Sequence, residues 1–232
     1  MTTLVVLQPS YLPWLGFFDQ FDRADIFVYY DDVGFDKNGW RNRNRIKTPR
    51  GPLWLTVPVL TAGRIGQPIV DVDIDNGQPW ARKHVRSVRE AYAKAPFAKR
   101  HLEELEALLA QPWARLVDLD LALTAAMCRW LDLTSIRVMR SSEIGITGER
   151  SARLLALCRH VGADHYLSGN AAQDYLDLAL FEAHGIRVSW QNYRHPVYPQ
   201  LHGPFVPYLS ALDLILNLGP ESLNIVRRGR EA

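Results

Sequence analysis

The chain has 232 residues, 47% of them hydrophobic and 22% charged, which suits one folded domain with a sizeable core. Its net charge of +2 argues against bulk nucleic-acid binding and leaves room for local clusters that hold a phosphate. No basic, apolar leader opens the sequence and no apolar run is long enough to span a bilayer, so the expected compartment is the cytoplasm.

In chain order, Leu4 to Leu7 is a short continuous apolar run, the mark of a buried strand. Gln8 to Tyr11 is a turn, and a helix is expected from about Pro13 to Arg23. Asp25 to Tyr30 reads as a second buried strand, which completes a βαβ unit. The Arg41–Lys47 segment and Leu53–Val59 flank the turn signal TPRGP and predict a hairpin. Val70, Val72 and Ile74 alternate with aspartates, which predicts a half-exposed strand. From about 79 to 131 the apolar spacing is helical, a subdomain or insertion broken at Pro96 and Pro112. The α/β rhythm then returns with strands at Ile136–Met139, His165–Leu167 and Ile186–Trp190, and helices between them. A last helix over Pro207–Leu216 stops at Gly219, and the tail from Arg227 to Ala232 is expected to fray. The whole chain, 1–232, reads as one α/β domain: a mostly parallel Rossmann-like sheet with an antiparallel hairpin and a helical insertion.

In open parallel sheets, ligands bind beyond the carboxyl ends of the strands. Four unusual clusters lie at such ends. Gln8, Tyr11 and Trp14 sit in a loop stiffened by Pro9 and Pro13, and Gly16 permits a close approach. A structural loop with a buried tryptophan is the alternative. The position is similar to that of the His-x-Gly-His signature of nucleotidylyltransferases and class I synthetases, but Trp14, Gly16 and Phe17 stand where those families carry histidines. Asp31 and Asp32 suit a magnesium ion, a ribose or an amine, or else a strand-end turn or a salt bridge to arginine. In a strand, Arg41, Arg43, Arg45 and Lys47 share one face, with Asn42 and Asn44 on the other. A row of guanidiniums fits phosphate or carboxylate, and its alternative is a basic edge that prevents strand pairing. Tyr193, His195 and Gln200 lie in a polar segment held by Pro196 and Pro199, where His195 is the general-base candidate. Ser168, before Gly169 and Asn170, suits an anion-binding turn. Ser210 and Asp213 suit helix caps.

No Walker loop, Gly-x-Gly-x-x-Gly or metal-ligand spacing occurs, and no cofactor is evident. Cys128 and Cys158 fit neither a metal knuckle nor a redox pair and read as buried hydrophobes.

Seven stretches in order resemble the WbqC-like protein family: LQPSYLPW (Leu7–Trp14), YDDV (Tyr30–Val33), WRNRNRIK (Trp40–Lys47), WLTVPV (Trp54–Val59), YLSG (Tyr166–Gly169), YRHPVYPQ (Tyr193–Gln200) and SALDLILNLG (Ser210–Gly219). The resemblance implies company with surface-polysaccharide and secondary-metabolite genes, and a transferase role on amino-sugar or carrier-bound intermediates. It implies site residues without assigned roles. The expected reaction is acyl or aminoacyl transfer from a thioester or tRNA-like donor to an amine. The co-substrate would be a phosphopantetheine thioester or a nucleotide, and an acyl or peptidyl carrier protein would be a partner. A nucleotide-dependent synthetase-like enzyme and a non-catalytic carrier or sugar-nucleotide module are the alternatives.

Overall fold

A computed structural model describes residues 1–37 and 39–230. Strand β1 (Thr3–Leu7) lies in the middle of the sheet, with its first four residues buried. Its alternation explains why the sequence there is apolar without a break. Val5 joins a core on one face, while Leu4 and Val6 join a core on the other. Helix α1 (Leu15–Asp22) leads to β2 (Ile26–Tyr29), which pairs parallel to β1.

The chain then leaves the sheet. β3 (Arg43–Thr48) and β4 (Gly51–Thr56) form a separate antiparallel hairpin, followed by α2 (Trp80–Tyr92), α3 (Ala98–Leu109) and α4 (Leu116–Trp130). These helices and the hairpin share the core of Val5 and Phe27 through Ile46, Leu55, Tyr92, Leu105 and Leu123. β5 (Arg137–Arg140) re-enters the sheet beside β2. Then come α5 (Ser141–Ile144), α6 (Arg150–Val161), β6 (His165–Ser168) beside β1, α7 (Leu178–Glu182), β7 (Arg187–Trp190), α8 (Ala211–Leu218) and α9 (Ser222–Arg228). Leu154, Leu157 and Phe181 cover the second face. The five-stranded sheet is wholly parallel, in the order β5-β2-β1-β6-β7. This is a Rossmann-like α/β fold: counted along the sheet's own strands, the order is 3-2-1-4-5, with the reversal of direction between β1 and β6.

Three expectations need correction. The helix stopped by Gly219 is not the last, since α9 follows it. Val70–Ile74 is not a strand: Ile69–Asp71 forms a 3-10 turn, and the backbone spreads its hydrogen bonds among neighbours instead of one ladder. Ile69 N–H donates to Val33 O, Val70 N–H to Asp31 O and Ile74 N–H to Ala114 O. The C-terminal segment does not fray over its described part. Arg227 donates twice to the Asp22 carboxylate at 2.8 Å, and Arg230 pairs with Asp19 and Asp22, which fastens α9 and the residues after it to α1. Residues 231 and 232 lie outside the described part. No helix among the described residues is long and apolar enough to cross a membrane.

Candidate functional site

A cavity of about 380 Å³ opens where β1 and β6 end, between Leu7–Gln8 and Ser168–Gly169. That is the switch point of the sheet, where two loops diverge and leave a crevice, and the volume is within the range of small-molecule sites. Gln8, Trp14, Arg41, Asn44 and Ser168 all line it.

The loop after β1 is built to divide its aromatic residues. Tyr11 N–H donates to the carbonyls of Trp40 (3.2 Å) and Arg41 (3.1 Å), which ties the loop to the segment before β3. Leu12 adopts a left-handed φ of 45°, and Asn44 Nδ2 holds its carbonyl at 2.7 Å. Tyr11 therefore turns into the core, fully buried, where its hydroxyl meets His84 Nδ1 at 2.8 Å. It is not among the cavity-lining residues, whereas Trp14 is. The Trp14 indole folds over Gly16, where an added Cβ would come within 2.2 Å of the ring. Gly16→Ala is therefore expected to cost about 1–3 kcal/mol by overpacking. In a Trp14→Ala background the same change should be nearly neutral. Urea denaturation of the double-mutant cycle measures the difference, and equal costs in both backgrounds would show that the indole is not the obstacle.

The arginine row is divided as well. β3 begins at Arg43, so Arg41 belongs to the preceding turn and faces the cavity. Arg41 Nη1 donates to Gln8 Oε1 at 2.8 Å, and its side chain is 14% exposed. Its Nε makes no hydrogen bond among the described residues and lies 3.9 Å from Asp36 Oδ1. Burial pulls the Arg41 pKa down, and the Asp36 and Asp120 charges oppose that. Asp120 is wholly buried on α4, neither of its oxygens has a hydrogen bond among the described residues, and burial pushes its carboxyl well above the usual range. Arg43 and Arg45 instead lie over the Trp54 ring, at 4.6 and 5.5 Å from its centroid. Lys47 is buried, and its ammonium donates to the Gly203 and Pro204 carbonyls at 3.1 and 2.7 Å. Asn42 Nδ2 donates to Val57 O at 2.8 Å.

Asp31 and Asp32 are held elsewhere, by partners far along the chain. Asp31 Oδ2 accepts from Arg140 Nε (2.7 Å) and Ser142 Oγ (2.8 Å), and Oδ1 accepts from Ser142 N–H (3.0 Å) and Ser141 Oγ (3.2 Å). Asp32 accepts from Ser141 Oγ at 2.6 Å and pairs with Arg153. All four carboxylate oxygens are engaged, and neither residue lines the cavity. Arg153 in turn lies 4.9 Å from the centroid of Tyr30, which does line it.

The segment from Gln191 to Leu209 packs behind Trp14. Tyr193 meets the indole edge-on at 5.7 Å, and the His195 ring stacks on it at 6.4 Å. His195 Nδ1 lies 2.9 Å from Pro196 O. That carbonyl only accepts, so Nδ1 carries the proton and Nε2 keeps a lone pair. Nε2 is buried with no hydrogen-bond partner among the described residues, and burial lowers the ring's pKa. The Tyr193 hydroxyl is likewise buried without a partner. Gln200 bridges its own loop, donating to Val206 O (3.0 Å) and accepting from Val206 N–H (2.9 Å). Neither Tyr193, His195 nor Gln200 lines the cavity itself.

The cavity also has walls that the motif reading passed over: Gln20, Tyr30, Tyr166 and Tyr175. Tyr30 and Tyr166 end or interrupt apolar strand runs, so the sequence marks them as core. Gln20 belongs to a buried polar network, donating to Gln191 Oε1 at 3.0 Å while Gln191 Nε2 reaches Gly16 O and Asp19 Oδ2 at 2.7 and 2.8 Å. Cys128 and Cys158 are buried, and burial pushes both thiols up to about 12, which leaves neither a thiolate near neutral pH. Among the described residues no three His, Cys, Asp or Glu side chains cluster in a metal-holding arrangement.

The polar residues that converge on the cavity come from separate stretches of sequence. The "Uncharacterized protein Rv1507c" of Mycobacterium tuberculosis (strain ATCC 25618 / H37Rv) is 37% identical over 237 residues, covering 100% of each chain. No solved structure matches. The family model described as the WbqC-like protein family matches residues 8–225, which takes in the loop after β1, the hairpin, the other four strands of the sheet and α8, and the chain belongs to that family.

Proposed function

We propose that the protein is a group-transfer enzyme that binds an activated, anionic donor in the switch-point cavity and passes its acyl or aminoacyl group to an amine. The observation that carries this reading is Arg41: a largely buried guanidinium on the cavity wall, fixed by Gln8, with its Nε making no hydrogen bond. A guanidinium withdrawn from water binds phosphate or carboxylate more strongly than one on the surface. Ser168 adds a polar wall, Asn44 braces the loop that carries Trp14, and Trp14 and Tyr30 supply flat walls.

In this reading the amine nitrogen attacks the carbonyl carbon directly. An amide bond forms and the ester or thioester bond breaks. The departing hydroxyl or thiol carries away the proton that the amine gives up. His195 would be the base once the Trp14 indole in front of it swings aside, because burial keeps the ring neutral and its tautomer leaves Nε2 free of a proton. Asp32 acts at one remove, fixing Arg153 beneath Tyr30, while Asp31 holds Arg140. A biosynthetic role in surface polysaccharide or secondary metabolism fits such chemistry. The nucleotide-dependent reading keeps one specific support, the cavity's position at the switch point, where nucleotides bind in sheets of this order.

Thermal shift with ATP, nucleotide sugars and acyl-pantetheine mimics tests the site, since a ligand of the folded state raises the melting temperature by mass action. A shift with at least one donor class is expected. Arg41→Ala should weaken that ligand about 10- to 100-fold, as loss of a buried charge-assisted contact does. His195→Ala should keep the shift and lose turnover. A ligand shift unchanged in Arg41→Ala would sink the reading.

A further inference from the structure

Between Lys37 and Val70 the sequence has seven Lys and Arg residues and no Asp or Glu, although the whole chain carries only +2. Four of the seven, Arg43, Arg45, Lys47 and Arg50, belong to the β3–β4 hairpin, and Arg43 and Arg45 stand beside a pair of tryptophans. Trp40 and Trp54 are 40% and 43% exposed, with ring centroids 5.4 Å apart. Large aromatic side chains left in water together are uncommon on a chain that has enough polar residues to cover itself. Arg43 and Arg45 lie against the Trp54 ring at 4.6 and 5.5 Å. Trp40 is also a wall of the cavity, so the platform and the cavity are continuous. Across the opening, Tyr175 lines the cavity and is itself largely exposed.

We propose that the hairpin platform receives the single-stranded end of an RNA whose terminal nucleoside, bearing the acyl or aminoacyl ester, enters the cavity. This rests on the donor-site reading above and names its donor class. Three features favour RNA over an acidic carrier protein. Single-stranded bases stack on exposed aromatic rings and guanidinium planes. Arg43, Arg45 and Arg50, on a hairpin that carries no acidic residue, suit a phosphate backbone. The cavity lies where sheets of this kind bind nucleotides. In the transfer, the ester bond to the nucleoside oxygen breaks, the amide forms, and that oxygen takes the proton released by the amine.

Fluorescence anisotropy with a labelled single-stranded RNA octamer tests this, with a duplex of the same length and an acylated carrier protein as competitors. The octamer is expected to bind, and the duplex and the carrier protein to compete poorly. About three phosphate contacts give a log–log salt slope near −2, an about 20-fold loss between 50 and 200 mM salt. Trp54→Ala should weaken binding about tenfold by loss of one stacked base, and Trp54→Phe should restore most of it. The same variants are also run with AMP by thermal shift. Loss of RNA binding with the AMP shift retained supports the platform. RNA binding unchanged by Trp54→Ala, or a carrier protein that displaces the octamer, overturns the proposal while leaving the cavity reading intact. RNA that binds through Trp54 without any small-molecule shift overturns the cavity reading instead.

Discussion

Asp213→Ala lowers the free energy of unfolding by about 3–5 kcal/mol, the cost of removing one partner from a buried charged network. Asp213 is wholly buried on α8 and accepts from the Tyr92 hydroxyl at 2.8 Å and the Tyr198 hydroxyl at 2.9 Å. The Tyr92 oxygen also accepts from Lys47 N–H at 3.1 Å, so one carboxylate joins α2, α8, β3 and the segment after β7. Alanine leaves two hydroxyls in a dry interior with no acceptor. Asp213→Asn keeps the shape and one acceptor and should cost roughly half as much. Urea denaturation at pH 7 measures both. Equal losses for Ala and Asn would mean that shape, not charge-assisted bonding, holds the junction. The consequence reaches the site, because Tyr198 anchors the segment that sets Tyr193 and His195 behind Trp14.

Acidification is expected to remove about 3 kcal/mol of stability between pH 6.5 and pH 4 through His84 alone. Burial lowers its pKa from 6.5 to about 4. Both ring nitrogens are committed: Nδ1 accepts from the Tyr11 hydroxyl at 2.8 Å, and the other N–H meets the Thr56 carbonyl. A proton on Nδ1 would leave the Tyr11 hydrogen facing another donor. Above pH 6.5 the ring is neutral in both folded and unfolded chains, and the contribution is whole. As pH falls below 6.5 the unfolded chain takes up the proton first, so stability drains away until the folded pKa is reached. Denaturation midpoints of wild type and His84→Gln across pH 7.5–4.5 check this. Wild type should fall more steeply than the variant, and parallel profiles would exclude His84 as the source. Since Tyr11 fixes the loop that carries Gln8 and Trp14, acid should loosen the cavity before it unfolds the sheet.

Much of the scaffold was legible from residues 1–60. Leu4–Leu7 and Ile26–Tyr29 are apolar without interruption because strands buried on both faces leave no polar side, and TPRGP marks the hairpin turn. Gln8, Trp14 and Ser168 stand out at strand ends, Arg41 and Asn44 in the basic strand pattern, and the five meet in one cavity. What the sequence hid was partnership at long range. Asp31 and Asp32 resemble a reactive pair until Arg140 and Arg153 are seen, 109 and 121 residues away respectively. The Arg41–Lys47 alternation implied one row, but a turn ends before Arg43, Trp54 covers the middle, and the Gly203–Pro204 carbonyls claim Lys47. Tyr11 and Trp14 are alike in a motif, and only the left-handed Leu12 between them sends one inward and the other to the cavity.

The strand order also carries a cost in time. β1 finds its first neighbour, β2, after a single helix, but its other edge pairs with β6, where Thr3 meets His165, 162 residues later. While the chain is being made, that edge stands open with a full set of unpaired amides and carbonyls beside Leu4, Val5 and Val6. Contacts so distant in sequence slow folding, and an apolar strand edge that waits is a template for pairing with another chain. The cavity is bounded by β1 and β6, the paired strands of the sheet that lie farthest apart in sequence. A newly synthesised molecule therefore becomes competent to bind only when the interval most exposed to aggregation has ended.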